Sequence, residues 1–293
     1  MAQTVTGVSI FFGALGDVFR NLPVVARIIA LPLALYLALE VPMTRADIAD
    51  YESFEAGFGG AWLFRYIVFL GVVGIVSVSW HRYKLLGEVP KSIVPPWQFG
   101  RWWRYALAWL VLGLIVGFWV ALLVAAPLFI AIGFFAPDLW DRILGFGYGT
   151  GGFFDFADPV AMSVAAAGLS MMLFTGLFFT YRLQTGLPAI AIERADGFNM
   201  TQSWRQTAPL GAKLLVTALL ATVGQAILIF VPEMFLYNDP AWSDPAIPYS
   251  FSYMYFDNVV VAISDVVLAI FGAAILARIY EAIQLADDPV AVF

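Results

Sequence analysis

Residues 181–214 read YRLQTGLPAIAIERADGFNMTQSWRQTAPLGAKL, a polar and basic interruption between two long apolar runs. Two weaker echoes stand upstream. Trp80–Tyr105 contains WHRYKLLGEVP and then WQFGRWWRY, and residues 16–27 read GDVFRNLPVVAR. Each copy sets an aromatic–Arg pair just ahead of an apolar run: Phe19-Arg20, Trp103-Arg104 and Trp204-Arg205. Each long segment before a break closes on an arginine: Arg82, Arg182 and Arg278. The pattern reads as three copies of one unit, made of an interfacial amphipathic helix, a spanning helix, an outer loop and a second spanning helix ending in Arg.

Composition agrees with lipid as the solvent. Of 293 residues 62% are hydrophobic and 12% charged, against about half apolar and about a quarter charged in soluble domains. Cysteine is absent, which excludes disulfides, thiolate metal sites and thiol nucleophiles. Arginine far outnumbers lysine, as in proteins of GC-rich bacterial genomes. No basic n-region precedes the first apolar run, so no cleaved signal peptide is expected.

Working outward, residues 8–20, VSIFFGALGDVFR, bring Ile10, Phe11, Leu15 and Phe19 to one helical face, which predicts a helix lying in the interface. Six segments then have the roughly 20 apolar residues a bilayer requires. They are Pro23–Met43, Ala61–Trp80, Ala106–Phe135, Val160–Tyr181, Leu214–Leu236 and Val259–Ile279. In the first, Arg27 and Glu40 bound the apolar core and are expected to snorkel to opposite interfaces. In the third, Pro127 predicts a kink, or the excess length a tilt. Gly113 and Gly117 form a G-x-x-x-G there, expected to serve packing within the bundle.

Basic residues sort by side. The N-terminal elbow, the 81–105 and 182–213 loops and the C-terminal end hold nearly all of them; the alternate loops hold only Arg45 and Arg142, with Arg65 inside a span. The excess places both termini in the cytoplasm. The outer loops, 44–60, 136–159 and 233–258, are acidic and aromatic, and are expected to cap the bundle at the membrane–water belt.

Candidate chemistry is sparse. Asp265 lies about 12 Å of helix rise below the outer end of the last span. A carboxylate there is costly and faces the bundle or a wet cavity. It reads as a proton- or ion-linked group, or as a structural residue held by Arg65, Gln225 or a Ser/Thr hydroxyl; the structural reading is favoured, because a pump carries more than one such group. Arg65 either snorkels to the outer face or reaches Glu40 or Asp265, and pairing with Asp265 accounts for both residues at once. His81, the one histidine, reads as an anchor at the inner interface, since no metal or protease pattern surrounds it. GFGYGTGG at 145–152 lacks the Lys-Ser/Thr of a phosphate loop. The acid pairs Asp138/Asp141 and Asp155/Asp158 lack calcium-loop spacing. Arg82, Arg101, Arg104, Arg182, Arg205 and Lys213, interleaved with Trp97, Trp102, Trp103 and Trp204, are candidates to bind anionic lipid headgroups, although topology alone explains their charge.

The span ending Tyr181-Arg182, then Leu187-Pro188-Ala189-Ile190-Ala191, then Ser203-Trp204-Arg205-Gln206-Thr207 resembles a group of bacterial six-helix membrane proteins. These are similar to the membrane domain attached to some glycerophosphodiester phosphodiesterases. The weaker copies at Trp80–Pro90, Trp103-Arg104 and Phe19-Arg20 extend the likeness. The resemblance implies a helical bundle with interfacial elbows. It supplies no catalytic residue, and with no soluble phosphodiesterase domain in the sequence that activity is not expected.

The sequence therefore predicts an all-α, polytopic inner-membrane protein forming one domain over 1–293, with six spans and three pseudo-repeated hairpins. No enzyme activity, cofactor or nucleic-acid partner is expected. Its partners are membrane lipids, another membrane protein or a second copy. The favoured role is a scaffold or accessory protein; the alternative is a transporter or channel for a small solute or lipid, with Asp265 and Arg65 in its path. A cavity reaching Asp265 would favour transport.

Overall fold

The computed structural model describes residues 5–53, 60–94, 98–135, 159–194, 199–237 and 251–287, which are helical almost throughout, with no strand among them. The elements are α1 (Gly7–Arg20), α2 (Leu22–Ser53), α3 (Gly60–Leu86), α4 (Phe99–Val120), a π-turn (Ala121–Ala125), α5 (Ala126–Phe135), α6 (Pro159–Leu183), α7 (Gly186–Ala191), α8 (Met200–Thr207), a 3₁₀ turn (Ala208–Leu210), α9 (Gly211–Tyr237) and α10 (Phe251–Asp287). Stretches within six helical runs are long and apolar enough to cross a bilayer: Leu22–Ala46, Leu63–Leu86, Phe99–Phe134, Ala166–Leu183, Met200–Leu228 and Tyr255–Gln284. This is the arrangement of a multi-pass membrane protein. Of the acidic loops, residues 54–59, 136–158 and 238–250, with their Gly-aromatic runs and acid pairs, lie outside the described residues, as does Trp97.

α1 forms where expected. Thr6 caps it reciprocally with Ser9, each side chain bonding the other's backbone N–H. Its apolar stripe buries Ile10, Ala14 and Val18 against α9 and α10. The approach to α9 is close enough to require glycine: a Cβ on Gly7 would fall 2.2 Å from the Lys213 carbonyl oxygen. That contact also lets the Thr217 hydroxyl reach the Gly7 carbonyl at 3.2 Å.

α10 is the central element, packed on α1, α2 and α3. Small residues make this possible, since Ala262, Ala273, Ala274 and Ala277 are all buried. Ala262, Ala273 and Ala274 share one core with Trp80 of α3, Tyr36 of α2 and Leu214 of α9. A second, smaller core joins α3, α4 and α7 through Val78, Trp102, Tyr105, Leu112 and Leu187. α3 ends at Gly87, whose positive φ of 70° is a conformation glycine adopts without penalty. The Gly87 and Glu88 N–H groups then satisfy the Tyr83 and Arg82 carbonyls.

Two sequence expectations about the third span change. The helix is not simply kinked at Pro127: the irregularity is the π-turn one residue upstream of Ala126, whose N–H bonds the Ala121 carbonyl. Proline has no N–H to donate, and a wider turn just before it accommodates the missing bond. Among the described residues Gly113 and Gly117 do not serve packing within the chain. Both are exposed, and a Cβ on either would meet nothing within 4 Å.

Candidate functional site

Polar side chains gather at two levels. The first lies within the spans, between α2, α3 and α10. Glu40 of α2 is 1% exposed. Its carboxylate receives Arg65 of α3, with Nη2 to Oε2 at 2.8 Å and Nε to both oxygens at 3.1 Å. One turn earlier, Tyr36 donates its hydroxyl to Asp265 of α10 at 2.9 Å. One turn later, Asn258 of α10 donates to the Thr44 hydroxyl at 2.8 Å. Tyr255 of α10 donates to the Leu37 carbonyl at 3.3 Å. The polar positions on α2, at 36, 40 and 44, repeat every four residues and therefore share one face.

This arrangement corrects the expectations for Glu40 and for the partner of Asp265, and selects among those stated for Arg65. Glu40 does not snorkel; it is buried and ion-paired, because removing a carboxylate from water is tolerable only with a counter-charge. Among its described contacts Arg65 grips Glu40 rather than Asp265. Asp265 is held by a phenol, not by Arg65, Gln225 or a Ser/Thr hydroxyl. Gln225 lies elsewhere, on an apolar groove of about 260 Å³ lined by Phe11, Phe19, Tyr181 and Phe271.

The second level is the end of the bundle where α1, α7 and α8 sit. Asp17 of α1, 8% exposed, is held by Arg278 of α10 through two bonds of 2.6 Å and by Lys84 of α3 at 3.0 Å. Asn21, just past α1, accepts from the Tyr83 hydroxyl at 2.7 Å. Arg182, at the end of α6, reaches the Trp204 carbonyl at 3.1 Å and lies 3.8 Å from the centre of the Trp204 ring, a cation–π contact. It also meets the buried Thr207 hydroxyl at 3.3 Å. Arg82, at the end of α3, bonds Glu88 at 2.7 Å and the Ala191 carbonyl at 3.3 Å. Arg101 pairs with Glu193.

Of the six proposed headgroup cations, Arg82, Arg101 and Arg182 are thus engaged inside the chain. Arg104 is exposed, with Nε donating to the Gly100 carbonyl at 3.1 Å. Arg205 is exposed and Lys213 half-buried. The Arg101 guanidinium beside Glu193 holds its carboxyl below the usual carboxylate range, with Arg82 and Arg104 adding smaller attraction. Glu193 itself has φ 61°, a left-handed conformation that side chains other than glycine resist.

His81 is not an interfacial anchor. It is fully buried, with Nε2 3.2 Å from the Tyr105 hydroxyl and Nδ1 unpartnered. The α3–α4 packing places it there, and its neighbour Trp80 is equally buried with an unpartnered Nε1.

Sequence reasoning missed Tyr36, Asn258, Asp17 and Lys84 as partners. The four-residue spacing of Tyr36, Glu40 and Thr44 was the available signal for the first level. It also missed two cavities at this end of the bundle. One, about 560 Å³, is lined by Arg27, Arg82, Glu88, Lys91 and Gln98 among others. The other, about 290 Å³, lies between α7, α8 and the end of α10. Among the described residues no group of three or more His, Asp or Glu side chains could hold a metal. Compared with family models, curated proteins and solved structures, the chain matches none.

Proposed function

We propose that this protein is a non-catalytic scaffold or accessory protein of a bacterial inner membrane, with both termini cytoplasmic. It engages lipid, another membrane protein or a second copy through three amphipathic elbows that introduce three pseudo-repeated hairpins. The observation that carries this reading is the fastening of an elbow by each segment-ending arginine. Arg278 grips α1 through Asp17. Arg182 grips α8 through Trp204 and Thr207. Arg82 grips the turn that leads to the Trp103-Arg104 elbow through Glu88, and α7 through Ala191. Such bonds hold the elbows as a firm platform. Phe12, Phe19, Phe99, Trp103 and Trp204 remain exposed on it, as residues that meet headgroups or a partner helix do.

The polar groups between α2, α3 and α10 support the same reading. Glu40, Asp265 and Thr44 each have a side-chain partner within the chain. The test is extraction into nanodiscs from the native membrane, followed by native mass spectrometry and a flux assay in proteoliposomes. A stoichiometric protein or lipid with no solute flux is the expected result. Flux of a small solute or ion, abolished in Glu40→Gln or Asp265→Asn, would replace the scaffold with the transporter reading. One observation favours that second reading: two carboxylates and a phenol lie in a single cluster inside the spans.

A further inference from the structure

Gln225, a polar position inside the fifth span, takes part in neither polar level. It lines the groove of about 260 Å³ between α9 and α10. These two helices pack on α1 more than on each other, and Ala221, Gly224 and Gly272 widen the gap between them. Phe11 and Phe19 of α1 close one side, with the Phe19 ring centre 6.0 Å from that of Phe271. None of the residues that line the groove is charged. Two polar groups stand in this apolar wall. The Gln225 amide has no hydrogen-bond partner among the described residues. Neither has the Tyr181 hydroxyl, although Tyr181 is 2% exposed. Other orphan atoms, such as Trp80 Nε1 and His81 Nδ1, are wholly enclosed; the Tyr181 oxygen is not among them. It therefore keeps a trace of accessible surface, beside the groove that Tyr181 lines. A hydrocarbon tail would fill the groove and leave both groups unpaired, which is costly where no water reaches.

We infer that the groove binds a membrane-dissolved quinone, its ring carbonyls accepting from the Gln225 amide and the Tyr181 hydroxyl. Each feature of the walls narrows the choice. The absence of charge turns away phosphates, carboxylates and amines, which need a counter-charge on leaving water. Amide N–H and phenol O–H groups both donate, so the ligand brings acceptors. The two donors come from different helices, α9 and α6, and the single hydroxyl of an alkyl alcohol serves one of them. A quinone carries two carbonyls on opposite edges of a flat, neutral ring. Such a ring suits the edges and faces of Phe11, Phe19 and Phe271. At about 260 Å³ the groove is smaller than the roughly 300–1,000 Å³ of most small-molecule sites. It takes the ring, and the tail runs out into the bilayer. The inference goes beyond the scaffold reading and rests only on the spans lying in lipid.

The experiment titrates decylubiquinone into the intact protein in phosphatidylcholine nanodiscs, reading bound ligand by native mass spectrometry and stability by the melting midpoint. One quinone per chain should be retained, saturably, with a rise in the midpoint. Decylbenzene, a ring and tail without carbonyls, should bind about tenfold more weakly, as expected for the loss of one or two hydrogen bonds. Gln225→Leu and Tyr181→Phe should each weaken quinone binding several-fold and leave decylbenzene binding unchanged. Neither should lower the ligand-free midpoint, since neither group is bonded within the described chain. Gly224→Leu, which sets a branched side chain against Phe11, should exclude both ligands. Gln284→Leu, a polar residue of α10 in the other cleft, should change neither. Equal affinity for the two ligands, or quinone binding indifferent to Gln225→Leu and Tyr181→Phe, overturns the proposal. Preferential retention of dioleoylglycerol, which has ester carbonyls and no ring, overturns it too. Solute flux in proteoliposomes would sink the scaffold reading and leave this result untouched, so the two failures are separable.

Discussion

Glu40 shows how much depends on one partner. Removing one side of a buried ion pair leaves an uncompensated charge and costs about 3–5 kcal/mol. Arg65→Leu should therefore lower stability in detergent severely, and Glu40→Leu combined with it should recover most of the loss. Additive losses in that double-mutant cycle would mean the pair is not coupled. The same cycle between Arg65 and Asp265 should be close to additive. Tyr36→Phe removes a bond to a carboxylate and should cost about 1.5–3 kcal/mol, read as a fall in melting midpoint. Of these pairs only Arg65–Glu40 stood among the alternatives the sequence offered; the Tyr36–Asp265 bond did not. Snorkelling treats a charge near a span end as alone, and a tyrosine among apolar neighbours gives no sign that it will donate to an aspartate over two hundred positions away.

Elements were more legible than pairs. The six apolar stretches and α1 followed from length, polarity and helical spacing, because a segment in lipid must satisfy its own backbone. Their contacts did not follow. G-x-x-x-G at Gly113 and Gly117 marks where a helix could pack closely, and the described residues leave that face open. A small residue that does bring elements together is Gly7, which carries no motif. Gly7→Ala should loosen α1 and speed hydrogen exchange across residues 7–20, whereas Gly16→Ala, with nothing within 4 Å of its Cβ, should not. Equal effects would mean that helix propensity rather than docking governs α1. The α7 turn has a pH signature of its own. Glu193 titrates below its ordinary range in the folded chain. Its link to Arg101 therefore contributes fully above about pH 4.3, the ordinary Glu value, and is lost as pH falls through the depressed one. Exchange over 186–194 should rise only on acidification, and Arg101→Gln should flatten that dependence.

At the scale of the whole molecule the orientation is open to direct measurement, helped by the absence of cysteine. Ser92→Cys should react with an impermeant thiol reagent only from the cytoplasmic side, and Ala46→Cys only from the other. The reverse pattern would invert the topology that the basic residues predict. Charge asymmetry gives an expectation of sidedness because it is a sum over many residues. The cleft beside α7 was unreadable for the opposite reason: its walls come from three separate stretches, and each contributes residues that look ordinary in their own context.

Asp17 and Arg278 stand 261 positions apart. A ribosome delivers the first of them long before the second exists. Until then α1 has α9 to pack on and Lys84 beside Asp17, but it lacks Arg278 and the surface of α10, so its docking is completed only when the last span is in place. The protein thus marks its own completion. A chain cut short before α10 would hold α1 mainly by α9 and leave Asp17 without Arg278.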